Sequence, residues 1–503
     1  MRDSLDFKCS VRVAAAVCAC AGTAAVAVQG ASENGTRRPN VIYFLVDDLG
    51  WNDLGCYGSE FYETPNIDKL AESGTRFVNG YASHPVCSPT RAAIMTGKNP
   101  CRAEINITDW IKGERRQYEK LLPPKINYNL PLKETTLPEY LKKRGYQTWH
   151  VGKWHLGETE KSWPKAHGFD VNIAGYFKGS PRSYYSPYRN PKLKDGPKGE
   201  YLTDRLTDEA LKLLEKRDSK KPFFLYFAFY AVHAPIVGCE RYMERFVKKR
   251  KKMFGSTPTP FAKESERGIT RQRQDNPKYA SMLYDLDVNV GRVVGFLKKN
   301  GLWDDTIIIF TGDNGGLSTL RRKGAPDCLL PLRAGKGWCY EGGQRTPFII
   351  RDPFIKKQPG TCDTPVCTTD VYATVLDCCA LPPFPKQHKD SASLKPLLES
   401  SKGELKRPSP MVWFYPHYHG SGWTPGASIL KDGWKLVDLY HFDRLELYNI
   451  KDDIGEKHNL ADKYPEKVAA LKKELEAYLK SVGAVMPTKN PHPGSKKSKK
   501  KKK

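Results

Sequence analysis

The chain has 503 residues, of which 39% are hydrophobic and 11% aromatic, and a formal net charge of +26. That length and apolar content exclude a minimal domain and a wholly disordered chain, leaving a globular protein of roughly two to four units. The positive balance points to a polyanionic partner, although a good part of it lies in the terminal run from Lys496 to Lys503.

In chain order, residues 1–31 read as a secretory signal peptide. Lys8 and Arg12 precede the small apolar run Val13–Val28, and Ala27–Ala31 offers small residues for cleavage. The run is too short and alanine-rich to span a bilayer, and no other stretch approaches the roughly 20 apolar residues needed. The expected location is therefore exported, periplasmic or extracellular, without stable membrane insertion; lipoprotein cleavage before Cys20 is the less favoured variant. Of 13 cysteines, Cys9, Cys18 and Cys20 fall in this segment. Cys362 with Cys367, and Cys328 with Cys339, are candidate bridges whose connectivity stays open. No CxxC pair or His/Cys cluster suggests zinc.

The apolar, β-branched run from Asn40 to Val46 predicts a buried strand ending in Asp47-Asp48-Leu49-Gly50. Helices are expected over Pro65–Gly74 and Thr135–Gly145, the second closing on basic residues and glycine. A buried strand over Pro222–Tyr230 leads to His233. The basic stretch Glu240–Asn276 reads as an insertion-like loop region, and Tyr279–Asn300 as a long amphipathic helix stopped by Gly301. Another buried strand, Thr306–Phe310, leads to Asp313. Composition turns Pro- and Lys-rich around residues 381–410. Beyond it come strands at Ser428–Asp438 and Leu445–Leu447 and a helix at Pro465–Val482.

Strands alternating with helices indicate an α/β fold with a large sheet flanked by helices, plus a smaller C-terminal α+β subdomain. The expected division is a catalytic domain over 32–390, a C-terminal subdomain over 405–485 and a disordered lysine-rich tail over 486–503. Ligands of such sheets bind beyond the carboxyl ends of strands. Asp47, Asp48, His233, Asp313 and Asn314 are therefore expected to converge.

The most specific motif is Cys87-Ser88-Pro89-Thr90-Arg91, trailed by Thr96-Gly97-Lys98. It resembles the C-x-P-S/T-R signature of the formylglycine-dependent (type I) sulfatases, with threonine at the commoner serine's place. The resemblance implies an alkaline-phosphatase-like fold and oxidation of Cys87 to formylglycine (3-oxoalanine) by a formylglycine-generating maturation enzyme. In that family the aldehyde hydrates to a geminal diol. One hydroxyl attacks sulfur, and deprotonating the other expels sulfate and restores the aldehyde, a route closed to serine.

Further blocks extend the resemblance over roughly Arg38 to Val482. Val46-Asp47-Asp48-Leu49-Gly50 and Thr311-Gly312-Asp313-Asn314-Gly315 resemble the family's two metal motifs. Asp47, Asp48, Asp313 and Asn314 supply three carboxylates and an amide oxygen, a hard set suited to calcium, with magnesium less favoured, and the resemblance adds position 87, as the formylglycine made from Cys87, to the metal site. Gly152-Lys153-Trp154-His155-Leu156-Gly157 resembles the block in which Lys153 contacts sulfate and His155 is the base of the elimination step. Lys153 and His155, two apart on an extended segment, are expected to point to one side. By the same resemblance His233 protonates the leaving oxygen, Lys336 bridges sulfate and leaving oxygen, and Arg91 stabilises the formylglycine hydrate.

The implied activity is sulfate-ester hydrolysis, with a sulfated polysaccharide or oligosaccharide favoured by the basic, exported character. His84, Asp109, His417 and His419 are the candidate substrate contacts. Two rivals stand beside it, a phosphatase or phosphodiesterase of the same fold and a non-catalytic binder of sulfated glycan. No nucleic-acid recognition motif is present.

Overall fold

The computed structural model describes residues 38–106 and 119–494. Its centre is an eight-stranded sheet: β1 Asn40–Val46, β2 Thr75–Phe77, β3 Gln147–Gly152, β4 Val171–Ile173, β5 Phe223–Ala228, β6 Thr306–Gly312, β7 Phe348–Arg351 and β8 Thr361–Cys362. The spatial order is β8-β2-β7-β6-β1-β5-β3-β4. Strands β6, β1, β5, β3 and β4 run parallel, while β7 is antiparallel to both β6 and β2. Every residue of β5 and β6, and all of β1 after Asn40, is buried. Uninterrupted apolar sequence in these strands follows from being covered on both faces. Each such Val, Ile or Phe contributes on the order of 2 kcal/mol by leaving water.

The C-terminal unit is an antiparallel meander, β9 Met411–Tyr415, β10 Gly426–Lys431, β11 Trp434–Leu439 and β12 Arg444–Asn449. Helix Pro465–Ser481 covers one face through Leu471, Leu475 and Leu479. The other face packs Trp413, Tyr415 and Trp423 against Tyr81, Val86, Trp338 and Tyr340 of the catalytic unit. A buried ion cluster spans this junction. Lys435 Nζ lies 2.9 Å from Glu341 and 3.1 Å from Glu456, all three without solvent exposure at their side chains or nearly so.

Several elements depart from the sequence reading. The region 240–276 is not a loop: it forms a helix, Glu240–Phe254, and a hairpin, Phe261–Ser265 with Gly268–Arg271. Strand Thr319–Leu320 completes this hairpin as a three-stranded sheet. The helix was hidden because it buries only Phe246 beneath a run of lysines. The stretch 428–438 is two strands, folded at Asp432-Gly433, both in the left-handed region. Thr488–Lys489 pairs with Leu121–Leu122, so ordered chain continues past 486.

All ten described cysteines are free. Cys362 faces the Ser401 carbonyl and Cys367 the Ser83 hydroxyl, so neither candidate bridge forms. No helix among the described residues is long and apolar enough to cross a membrane. The signal segment, the terminal lysines from 496 and Asp109 lie outside the described residues.

Candidate active site

Helix Cys87–Thr96 begins at Cys87 and is buried along its whole length. Cys87 thus sits in the first turn, where the helix's positive end favours a developing negative charge. One turn later Arg91 shares its face. Gly97, left-handed at φ 64°, ends the helix. Lys98 turns away, held 2.6 Å from Glu134 and 2.8 Å from Glu104.

The ends of β1, β3, β5 and β6, together with the loop that carries Lys336, deliver the remaining groups to Cys87. Arg91 donates through Nε to Asp313 Oδ2 at 2.9 Å and through Nη1 to the Lys153 carbonyl at 2.8 Å. Lys153 Nζ lies 2.7 Å from Asp47 Oδ2, and Lys336 Nζ 2.6 Å from Asp48 Oδ1. His155 Nδ1 is 3.4 Å from Cys87 Sγ. His233 Nε2 lies 3.7 Å from Asp48 Oδ2, with its Nδ1 2.6 Å from the Ala234 carbonyl, which fixes the proton on Nδ1.

Segment 153–155 is not extended as expected. β3 ends at Gly152 (φ 104°), and His155 is left-handed at φ 62°. A Cβ at residue 152 would come within 1.8 Å of the Ala228 carbonyl oxygen, so only glycine fits this approach of β3 to β5. The turn sends Trp154 inward against His150 and His167 and still delivers Lys153 and His155 to the site. Asp48 is also left-handed, at φ 59°. Such backbone strain gathers at sites whose surroundings over-determine it.

The electrostatics are those of a buried, charge-dense pocket. Burial pushes the Cys87 thiol up despite Lys153 and Lys336, so the sulfur as it stands is a weak nucleophile. Burial also raises Asp47, against the pull of Lys153. For Asp48 burial works upward, but Lys336 and His233 overcome it and hold the carboxyl below its usual range. Burial opposes charge on Lys336, yet Asp48 outweighs it and keeps the ammonium protonated. His233 is pulled down to about 3, first by burial and then by Lys336, and His155 falls for the same kinds of reason.

Three buried oxygens here have no hydrogen-bond donor: Asp47 Oδ1, Asp48 Oδ2 and Asn314 Oδ1. Asn314 turns its Nδ2 to Asp48 Oδ1 at 2.8 Å, leaving the amide oxygen for another partner. Asp47, Cys87 and Asp313 present ligand atoms within 4.8 Å of one another, as do Asp47, Asp48 and His233. A hard cation satisfies this set of unmatched acceptors. The site is a potential metal-coordinating cluster.

Of the four candidate substrate contacts, His419 lines the cavity above Cys87. That cavity, about 620 Å³, is also lined by His155, Glu158, Phe177, Lys178, Gly179, Ser180, His233 and Lys336. His419 accepts the Ser421 N–H on Nδ1 at 3.1 Å, which leaves the proton on Nε2. His84 is committed elsewhere: its Nε2 donates to the Phe414 carbonyl and its Nδ1 accepts from Val86 N–H. His417 is buried beside Tyr415 and is not among the residues lining this cavity. Glu158 and the Phe177–Ser180 loop were missed, because a cavity wall built from irregular loops carries no sequence period. The glycine at 179 was the available trace, since a Cβ there would lie 2.3 Å from His155 Cε1.

The site leans on the C-terminal unit. Gly315 N–H donates to the Gly343 carbonyl at 3.0 Å, and a Cβ at residue 315 would meet Gly342 O at 1.8 Å. Glu341, at the start of that turn, is the residue that Lys435 and Arg345 clamp. The loop after Asn314 therefore rests on a turn anchored across the junction.

Known proteins resemble this chain along most of its length. Human N-acetylgalactosamine-6-sulfatase is 32% identical over 390 residues, which cover 72% of this chain and 66% of that protein. Mouse arylsulfatase J is 34% identical over 356 residues, 68% of this chain and 52% of the relative. The chain thus spans between about half and two thirds of the length of these relatives. The crystal structure of Ps i-CgsB in complex with k-i-k-neocarrahexaose superposes with a TM-score of 0.71 at 28% identity, covering 92% of this chain and 96% of that one. The profile for the C-terminal region of N-sulphoglucosamine sulphohydrolase matches residues 334–483, so Lys336 and the Glu341 turn belong to it. The sulfatase profile matches residues 39–380, from β1 through every group gathered around Cys87, and the chain belongs to the sulfatase family.

Proposed function

We propose that this protein hydrolyses sulfate esters of a sulfated polysaccharide or oligosaccharide, using formylglycine made from Cys87 and calcium held by Asp47, Asp48, Asp313 and Asn314. The observation that carries the reading is the convergence on Cys87 of His155, three cations and three donor-less oxygens at the floor of one cavity. Charge supports it. Asp47, Asp48 and Asp313 balance Arg91, Lys153 and Lys336, so a divalent cation leaves two positive charges for a sulfate ester and an ionised nucleophile. Calcium would supply that excess and polarise sulfate oxygens, and the hydrated aldehyde would supply one hydroxyl to attack sulfur and a second whose deprotonation would expel sulfate.

The chain's own residues do the rest. Lys153 and Lys336 bind sulfate oxygens, and Arg91 holds Asp313 and the Lys153 backbone in place. His155 Nδ1 takes the proton from the group at position 87. His233 faces the leaving oxygen with Nε2. In the free site its imidazole is neutral, and a bound anion is what restores its affinity for a proton. Phe177 offers an exposed ring to a sugar face, with Lys178 and His419 as polar contacts. The carbohydrate bound to Ps i-CgsB supports this class of substrate. The N-terminal segment supports export, and maturation requires a formylglycine-generating enzyme in the host.

The test is release of inorganic sulfate from sulfated oligosaccharides by protein produced with such a maturation enzyme. Wild type is expected to release sulfate and Cys87→Ala none above background. Equal release by both proteins, or turnover of phosphate esters alone, contradicts the proposal.

A further inference from the structure

The helix Glu240–Phe254 and the three-stranded sheet beside it carry a concentration of charge that the catalytic site does not use. The helix holds seven Lys or Arg against two Glu. Some of these are neutralised: Arg241 by Asp204 and Asp285, Arg245 and Lys249 by Glu63, Lys248 by Glu244, Arg250 by Asp275. Lys251 and Lys252 at its end, Lys263 on the hairpin, and Arg322 and Lys323 just beyond Thr319–Leu320 are exposed and have no carboxylate partner among the described residues.

These five cations lie on elements rooted at the catalytic end of the central sheet. The strand Thr319–Leu320 follows Gly316 and Ser318, which fasten the Lys336 loop: Gly316 O accepts Lys336 N–H at 2.9 Å and Ser318 Oγ donates to Ala334 O at 2.6 Å. At the other side Arg250 and Arg273 reach Asp275, and Gln274 donates to Asn52 O and Asp53 Oδ1, just past the Asp48 loop. Both elements are thus fastened to the loops that carry Lys336 and Asp48. An enzyme acting on an isolated small ester gains nothing from such a surface. A long chain of repeating anions gains one contact per charge and is held while its ester is presented.

We infer that this face is a second binding site, outside the catalytic cavity, for the polymer chain of a sulfated polysaccharide. The inference rests on the reading of the cavity given above. It predicts a salt-sensitive preference for polymer over small ester, because exposed charges are screened within about 8–10 Å at physiological ionic strength.

The experiment compares two four-residue variants of the full chain. One carries Lys251→Gln, Lys252→Gln, Arg322→Gln and Lys323→Gln. The other removes the same charge at the opposite end of the sheet, through Lys216→Gln, Lys220→Gln, Lys298→Gln and Lys299→Gln, all exposed. Both keep the terminal lysines. The readouts are the salt concentration that elutes each from immobilised heparin and the ratio of kcat/KM on a long sulfated polysaccharide to that on a small aryl sulfate. The first variant is expected to elute earlier and lose about tenfold in that ratio, in the range that charge steering supplies, while the second keeps both. Equal losses in the two variants, or no loss in the first, overturn the inference. So does earlier elution of the first variant from immobilised DNA with an unchanged polymer ratio, which marks a nucleic-acid surface. If wild type turns over neither ester, the reading of the cavity fails, and the heparin comparison still decides this site.

Discussion

Replacing Gly179 by alanine isolates the part that His155 plays. A Cβ built there lies 2.3 Å from His155 Cε1, 2.6 Å from Nε2 and 2.7 Å from Nδ1. Carbon atoms settle at roughly 3.5–4.0 Å, so the ring must retreat by about 1 Å or more. Its Nδ1 stands 3.4 Å from Cys87 Sγ, and that retreat breaks the contact. Misplacing a reacting group by about 1 Å costs on the order of 100-fold in rate, or about 2.7 kcal/mol of barrier. The fold should survive. Residue 179 is not left-handed, so alanine gains about 0.4–1 kcal/mol through the unfolded chain. A displaced, off-rotamer ring costs about 0.5–1.5 kcal/mol, and the two nearly cancel. The assay is kcat on a small aryl sulfate beside thermal unfolding. A variant with near wild-type Tm and kcat down about 100-fold is expected. A kcat within threefold of wild type would falsify the assignment of His155. Gly152→Ala is the contrast, because its clash is with backbone at φ 104° and should prevent folding.

Three further predictions follow from separate features. Chelation should lower Tm, and calcium at a thousandfold excess over its Kd should restore roughly 4 kcal/mol; scanning fluorimetry of wild type and Asp313→Ala checks this, and a calcium response surviving in the variant contradicts the ligand set. Lys435→Met leaves Glu456 buried without its cation and Glu341 with Arg345 alone, and should cost about 3–5 kcal/mol in chemical denaturation; a loss below about 1 kcal/mol shows that the junction does not depend on Lys435. His167, held to about 4 by burial alone, stays neutral in the folded state while the unfolded chain protonates below about 6.5. Relative to His167→Phe, wild type should therefore be unaffected above pH 7 and lose about 3 kcal/mol as pH falls from 6.5 to 4. Parallel stability curves for the two proteins reject a neutral, buried His167.

The groups that were legible in the sequence sit directly after buried strands or inside blocks of consecutive residues. Asp47 and Asp313 follow β1 and β6, and the strand pattern alone announced that they would meet. Where the chain is irregular, the sequence was silent. Phe177, Lys178 and Ser180 reach the cavity through a loop, and nothing periodic marks their direction. His84 looked like a pocket residue because it precedes Cys87 by three, yet both its ring nitrogens serve the backbone of Phe414 and Val86. The helix at Glu240–Phe254 was masked by composition, since five consecutive basic residues from Lys248 outweigh a thin apolar stripe. The Asp432-Gly433 turn carried a recognised hairpin signal and was legible, but one long strand was read through it.

The most direct test of the central claim is the mass of the tryptic peptide Phe77–Arg91, from protein produced together with a formylglycine-generating enzyme. Oxidation of the Cys87 thiol to an aldehyde lowers that mass by about 18 Da. The account predicts this shift in protein that releases sulfate, and its absence in protein that does not. A peptide retaining the free thiol in fully active enzyme would contradict it.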